Sequence, residues 1–498
     1  ERAPIDWAAT TAALANILDE IAGKTGNEAY RKEAGDAWRA ALGALDPVRS
    51  PSQWASARNG LSRHDYDIGW KSGSQDRLRA AISGYREVKA LAGRSRSAAE
   101  EADTSYNIGL GFVELAKLTG AADDRRAAVS ALREAAKAYA ALGQKIDQAK
   151  SSYFAAGELL ELALPDADAA LAAEAAEAFR AALDAAPAGS EDFDWATAWN
   201  ELGRALQTVG DATGEDARLT EAAEAFSKAA DLFGAAGSKV DWAISTSNVA
   251  LVELSLGERD AEGADHFARA ADLFRSTLGE LEKAGEALLA TRTRFNLGRA
   301  LHARASRLED MEILGEAIDT YRAALAGWPA DGSEKADWAW NQSMLGQALQ
   351  ERAAKEPSRR EDFLASIAAY EAAEKATPRD SAPADFAAMR NSIAYARVLM
   401  AEASRSRTDF ETAVADARVA LSAQVESGDA ENLPYIRDTL CRGLIGLGEE
   451  ARDLAALQEA VAACETALVE FRAADAGEVA EETTRNLDRA RQALARLQ

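Results

Sequence analysis

Apolar residues along this chain recur three and four positions apart, the spacing that builds one face of an amphipathic helix, and no convincing period-2 strand pattern appears. The stretch Asp194–Leu232 shows the arrangement at its clearest. One helical pattern runs through Trp195, Leu202 and Leu206 and a second through Ala222, Phe226 and Ala229, with a Gly-rich break at Gly210–Asp216 between them. Asp194 stands just before Trp195, where a carboxylate accepts hydrogen bonds from the free N–H groups of a first helical turn, so the spacing predicts an N-cap there.

The pattern is periodic. Steps of 47 or 48 residues from Gly203 land on Ala15, Ser62, Gly109, Ala156, Ala250, Gly298, Gly346, Ala394 and Cys441, every one of them small. The residue just before each is apolar, for example Leu61, Ile108, Leu202 and Leu345. Nineteen or twenty residues further on lies a second small residue, from Ala34 and Ala81 through Ala222 to Ser366, Ala413 and Ala460. Four beyond that comes a bulky one in eight of ten units, Trp38, Tyr85, Leu132, Phe179, Phe226, Phe274, Tyr321 and Tyr370, and the last two units depart with Ala417 and Cys464. Two antiparallel helices approach closely only where side chains are small, so each unit supplies one small residue per helix and a bulky neighbour to fill the wedge.

The motif resembles the tetratricopeptide repeat, a helix–turn–helix unit, with Leu202-Gly203 and Leu206 on the first helix and Ala222, Phe226 and Ala229 on the second. Its helix-stopping proline is matched at Pro187, Pro329 and Pro378. The period here is longer than that family's, and the extra length is expected in the turns (Gly210–Asp216, Gly257–Gly263) and in the linkers between units. The openings at Pro4/Asp6-Trp7-Ala8, Asp194-Trp195-Ala196, Asp241-Trp242-Ala243 and Asp337-Trp338-Ala339, with a Phe variant at Pro383/Asp385-Phe386-Ala387, look like a bacterial long-period subclass. The resemblance implies an all-α, right-handed α-solenoid (superhelix) spanning 1–498, with about ten helix pairs starting near 7, 54, 101, 148, 195, 242, 290, 338, 386 and 433 and a capping helix at 480–497. Glu1–Asp6 reads as the kind of linker that joins one unit to the next, which hints at sequence upstream.

Composition narrows the function. Helix formers dominate, only ten prolines occur, and no apolar run approaches the roughly 20 residues of a membrane span. A net charge of −25 repels polyanions, so nucleic acid is not an expected partner. The two cysteines, Cys441 and Cys464, form no metal spacing; helix packing would bring them together, and small apolar core filling is favoured over a redox pair. His64, His266 and His302 lie in separate units without ligand partners, and His64, beside Asp65 and Asp67, reads as a surface residue. Trp70 follows in the turn, and Arg397 interrupts an apolar stripe. No nucleophile elbow and no phosphate loop are present, so no enzyme activity, cofactor or metal is expected.

In tetratricopeptide superhelices the first helix of each pair lines the concave face, and the resemblance places candidate groove residues accordingly. Asn59, Asn107, Asn200, Asn248, Asn296 and Asn391 stand two or three residues before the small position, and Arg63, Arg204, Arg299 and Arg442 stand one after it. Amides can donate to and accept from an extended peptide backbone, and guanidinium forks suit carboxylates. Tyr106, Tyr153, Phe295 and Trp340 would add aromatic anchors. The expected function is a non-catalytic scaffold holding a peptide or partner segment. The alternatives are the regulatory array of a larger multidomain protein and a self-assembling structural protein. Cytoplasm is the default compartment, with a mature periplasmic protein as the alternative because the sequence starts without Met.

Overall fold

Good helix formers, short caps and left-handed stops divide the chain into helices joined by very short turns. The computed structural model describes residues 2–91, 97–328, 332 and 334–498. Among these residues there are 21 α-helices, one short 3-10 turn and no strand. The chain forms two compact units, Glu1–Ser255 and Leu256–Gln498. The first holds α1 (Arg2–Thr25), α2 (Glu28–Gly43), α3 (Pro51–Ser72), α4 (Gln75–Lys89), α5 (Ala98–Thr119), α6 (Ala122–Leu142), α7 (Lys145–Ala163), α8 (Ala169–Ala185), α9 (Trp195–Thr213) and α10 (Asp216–Ala235). The boundary falls within α11 (Lys239–Arg259). The second unit continues with α12 (Ala264–Ala284), α13 (Ala287–Leu308), α14 (Met311–Leu325), α15 (Lys335–Lys355), α16 (Arg360–Ala376), α17 (Pro383–Ser404), α18 (Arg407–Ser427), α19 (Leu433–Ala451), α20 (Leu454–Ala473) and α21 (Gly477–Leu497). The fold is all-α, a helical-repeat solenoid in which odd-numbered first helices pair with even-numbered second helices.

The small residues do what their spacing implies. All twenty are buried, and every one with a side chain is fully so. A Cβ added to Gly203 would lie 2.7 Å from the ring of Phe226, the bulky residue of its own pair, and one added to Gly298 would lie 2.7 Å from Tyr321. A second small position, seven residues further along the first helix, escaped the sequence reading. It holds Ala22, Gly69, Ala116, Ala163, Gly210, Gly257, Ala305, Ala353, Ala401 and Gly448, all inside helices, and Gly210 abuts Leu219 just as Gly257 abuts Phe267. The helices of a pair therefore touch at two heights.

That second contact corrects the expected turn. Gly210–Asp216 is not a break: Gly210 lies in α9, and the connection to α10 is Gly214-Glu215. The extra length of the repeat sits largely in the helices. A left-handed residue followed by the N-cap position of the second helix makes most of the first-to-second turns, with Gly73, Gly120 and Gly214 at φ of 66, 67 and 77°. Ser74, Asp168, Asp310 and Asp453 then cap the second helices through their side-chain oxygens.

Several helix starts also differ from expectation. Asp194 is an N-cap, accepting the Thr197 N–H at 3.0 Å. Asp241, Asp337 and Asp385 instead lie inside the first turns of α11, α15 and α17, where a carboxylate still favours the positive helix end. Of the stretch read as a linker, Arg2–Asp6 lies inside α1 and Glu1 lies outside the described residues, and Trp70 belongs to α3 rather than to a turn. Pro187 and Pro378 follow the ends of α8 and α16, whereas Pro329 lies outside the described residues.

In the last pair the contact becomes covalent. Cys441 and Cys464 are fully buried, their Cα atoms 5.4 Å apart, and they form a disulfide. Filling of the core by free thiols, the reading favoured by the sequence, is replaced by a bond, because packing aligns the small position of α19 with the bulky position of α20. Closing a loop across 23 residues contributes about 3 kcal/mol by restricting the unfolded chain.

The close approach is directly testable. Gly203→Leu should destabilise the protein by about 2 kcal/mol through overpacking against Phe226, whereas Gly279→Ala, with nothing within 4 Å of the added carbon, should leave the thermal midpoint unchanged or raise it.

Candidate binding grooves

First helices of successive pairs lie side by side within each unit, so residues 47 or 48 apart in sequence become neighbours. The six candidate asparagines are all partly buried, on the face that the helix pairing leaves open. Their surroundings differ, and the difference separates them into two sets.

Asn200 and Asn248 are occupied with each other. Asn248 Nδ2 donates to Asn200 Oδ1 at 3.2 Å, and Ser245 Oγ donates to the same oxygen at 3.1 Å, which ties α9 to α11. Asn296 accepts from Arg299 at 3.4 Å. The other set faces cavities. In the first unit, a cavity of about 500 Å³ is lined by Asn16 of α1, Asn59 and Arg63 of α3 and Asn107 of α5, with Trp38 and Tyr85 behind them. Arg63 donates to Asn16 Oδ1, while Asn59 Oδ1 is buried without a hydrogen-bond partner. In the second unit, Asn391 lines a cavity of about 620 Å³ with Ser392, Tyr435 and Phe471, and its Oδ1 is likewise buried and unpartnered.

The remaining arginine candidates are engaged by glutamates of the preceding first helix. Arg204 faces Glu161 at 3.9 Å, Arg299 faces Glu258 at 3.6 Å and Arg442 meets Glu402 at 2.7 Å. Arg442 also donates to the Tyr395 hydroxyl at 3.3 Å. These are straps between neighbouring first helices, each about 40 residues apart in sequence and individually worth no more than about 1 kcal/mol. A glutamate near the end of one first helix and an arginine one past the small position of the next is the signal that identifies them.

The aromatic candidates also divide. Trp340 is 47% exposed, stacks edge-to-face on Phe295 at 4.8 Å and lies 5.0 Å from the Arg299 guanidinium. Phe295 itself is 4% exposed and belongs to the core beside Tyr321 and Trp328, so it is no groove anchor. Tyr106 and Tyr153 pack against Tyr139 and Phe193, and burial pushes both phenols up to about 12.

Two irregular positions turn out to be structural pairs. His64 is not a surface histidine: it is 4% exposed, and its Nδ1 lies 2.6 Å from Asp19, which also accepts the Trp38 indole N–H at 2.7 Å. Arg397 meets Asp416 and Glu371, and Asp416 also accepts from Arg390 at 3.0 Å. Among the described residues no group of three or more His, Cys, Asp or Glu side chains is placed to hold a metal ion, and no helix is long and apolar enough to cross a membrane.

No protein-family model and no curated protein matches the chain. Solved structures of similar helix arrangement include the apo form of RapI (13% identity, 86% of this chain and 98% of that one, TM-score 0.44). Others are a Rap protein complexed with competence and sporulation factor (14%, 90% and 100%, TM-score 0.37) and aspartyl phosphate phosphatase F from Bacillus subtilis (13%, 68% and 75%, TM-score 0.32).

The two sets of asparagines should respond differently to truncation. Asn200→Ala removes the acceptor for both Asn248 and Ser245 and should cost about 1 kcal/mol, whereas Asn59→Ala deletes a group whose oxygen has no partner and should leave the midpoint of thermal unfolding unchanged or slightly higher. A second expectation concerns pH. Burial pushes the Asp438 carboxyl, which accepts from Thr483 at 2.8 Å, above its ordinary value. The fold therefore prefers it protonated, and its charge costs stability at neutral pH, a cost that fades as pH falls through the raised value. Asp438→Asn should accordingly raise the melting temperature at about pH 7 and make no difference near pH 3, below the ordinary range of carboxyl groups.

Proposed function

We propose that the chain is a non-catalytic interaction array in which first-helix asparagines hold an extended segment of a partner protein. The observation that carries this reading is the pair of unsatisfied carbonyls: Asn59 Oδ1 and Asn391 Oδ1, in separate units, are each buried without a donor on a residue that lines a cavity. A buried acceptor left unpaired costs about 1–3 kcal/mol, and an incoming N–H relieves that cost. An extended peptide supplies such donors along its main chain whatever its sequence. Arg63 and Asn107 beside Asn59, and Tyr435 beside Asn391, supply the polar and aromatic contacts that fix register. Asn200, Arg204, Asn248, Arg299 and Arg442 hold neighbouring first helices together and set the spacing of the groove, Asn296 accepts from Arg299 on its own helix, and Trp340 is exposed as an anchor.

Selection from a displayed library of random peptides tests this. Enriched peptides should bind the unaltered protein, and Asn59→Ala or Asn391→Ala should weaken those seated in the corresponding cavity at least tenfold with no loss of thermal stability. No enrichment, or affinities untouched by both substitutions, would remove the asparagines from any binding role.

A further inference from the structure

The second unit contains a cavity that the groove reading does not use. It has a volume of about 740 Å³ and lies among α17, α19 and α21, with a floor that includes Phe410, Leu457 and Leu497. Five arginines and three glutamates line it, a local net of +2 in a chain whose net charge is −25. Arg442 and Arg489 are held by Glu402 and Glu449 at 2.7 and 2.6 Å. Arg405, Arg452 and Arg496 have no carboxylate partner among the described residues, and all three are exposed.

The backbone beneath two of these arginines is strained. Arg405 and Arg452 occupy the left-handed turn residue after α17 and α19, at φ of 51 and 53°. Other repeats place glycine there, as at Gly73, Gly120 and Gly214. For a residue with a Cβ this conformation costs roughly 1 kcal/mol. A cation at a helix C-terminus is favourable in itself, but the position does not select one: Ala167 and Glu309 occupy it elsewhere. Arginine appears in successive repeats only where the two turns open onto this cavity, and Arg496 reaches the same space from the last helix.

We infer that this cavity is a binding site for a multivalent oxyanion, whose charged oxygens are forked by Arg405, Arg452 and Arg496 while any apolar portion rests on Phe410 and Leu457. Guanidinium groups bind phosphate and carboxylate oxygens with two parallel hydrogen bonds, and three from separate elements match a ligand with more than one charged group.

Calorimetric titration of the full chain at low ionic strength, with pyrophosphate in one arm and tricarballylate in the other, tests the site and separates phosphate from carboxylate preference. Saturable binding of at least one is expected. The double substitution Arg405→Gly/Arg452→Gly restores the residue other repeats use, so it should weaken binding at least tenfold without lowering the thermal midpoint. Arg496→Gln, on a third element, should weaken it as well. Absence of saturable binding by the unaltered protein in both arms, or unchanged affinity in the glycine and Arg496→Gln variants, would overturn the assignment. Neither outcome bears on the asparagine grooves, whose cavities none of the three substituted arginines lines.

Discussion

Everything in this molecule depends on how closely two helices of a pair can approach. At two heights along each first helix a small residue admits a side chain of its partner: Gly203 under Phe226 and Gly210 against Leu219 are one instance. Because Phe226, Phe274 and Tyr321 are fully buried at these contacts, each pair gains on the order of 2–3 kcal/mol per ring from burial alone. The same contact, repeated, sets the spacing of the first helices, and that spacing decides which polar residues meet across them.

The pairing was legible from residue types because Ala, Gly and Ser recur in register with a bulky partner, and such a pattern has few other physical causes. The turns were harder to read. Glycine marks both a left-handed turn and a tight helix contact, and Gly210 serves the second role while Gly214, four residues on, serves the first. Sequence spacing alone does not separate them. The Asp-Trp openings do not share one role either, since an aspartate is favourable both as a cap and inside a first turn, and only Asp194 is a cap among Asp194, Asp241, Asp337 and Asp385.

The polar face was legible as a face and not as a network. Partners there lie on the neighbouring first helix, 40 to 48 residues away, so nothing local announces that Asn200 is spent on Asn248 while Asn59 is not. His64 illustrates the same blindness: the two aspartates beside it in sequence suggested solvent, but its partner is Asp19, 45 residues earlier. Where an array looks irregular, as at His64 and Arg397, the irregular residue has found a distant carboxylate.

The disulfide in the last pair has a mechanical meaning. Repeats of this kind interact chiefly with their neighbours, so a stretched array can yield one pair at a time from an end. Cys441 and Cys464 join the first and second helices of the final pair where every other pair relies on a contact that tension can part. With that bond in place, the 23-residue span between the cysteines is shielded from the load. A pull from the C-terminus can strip α21, but it cannot spool out the segment between the two sulfurs, and the force passes through the cross-link into α19.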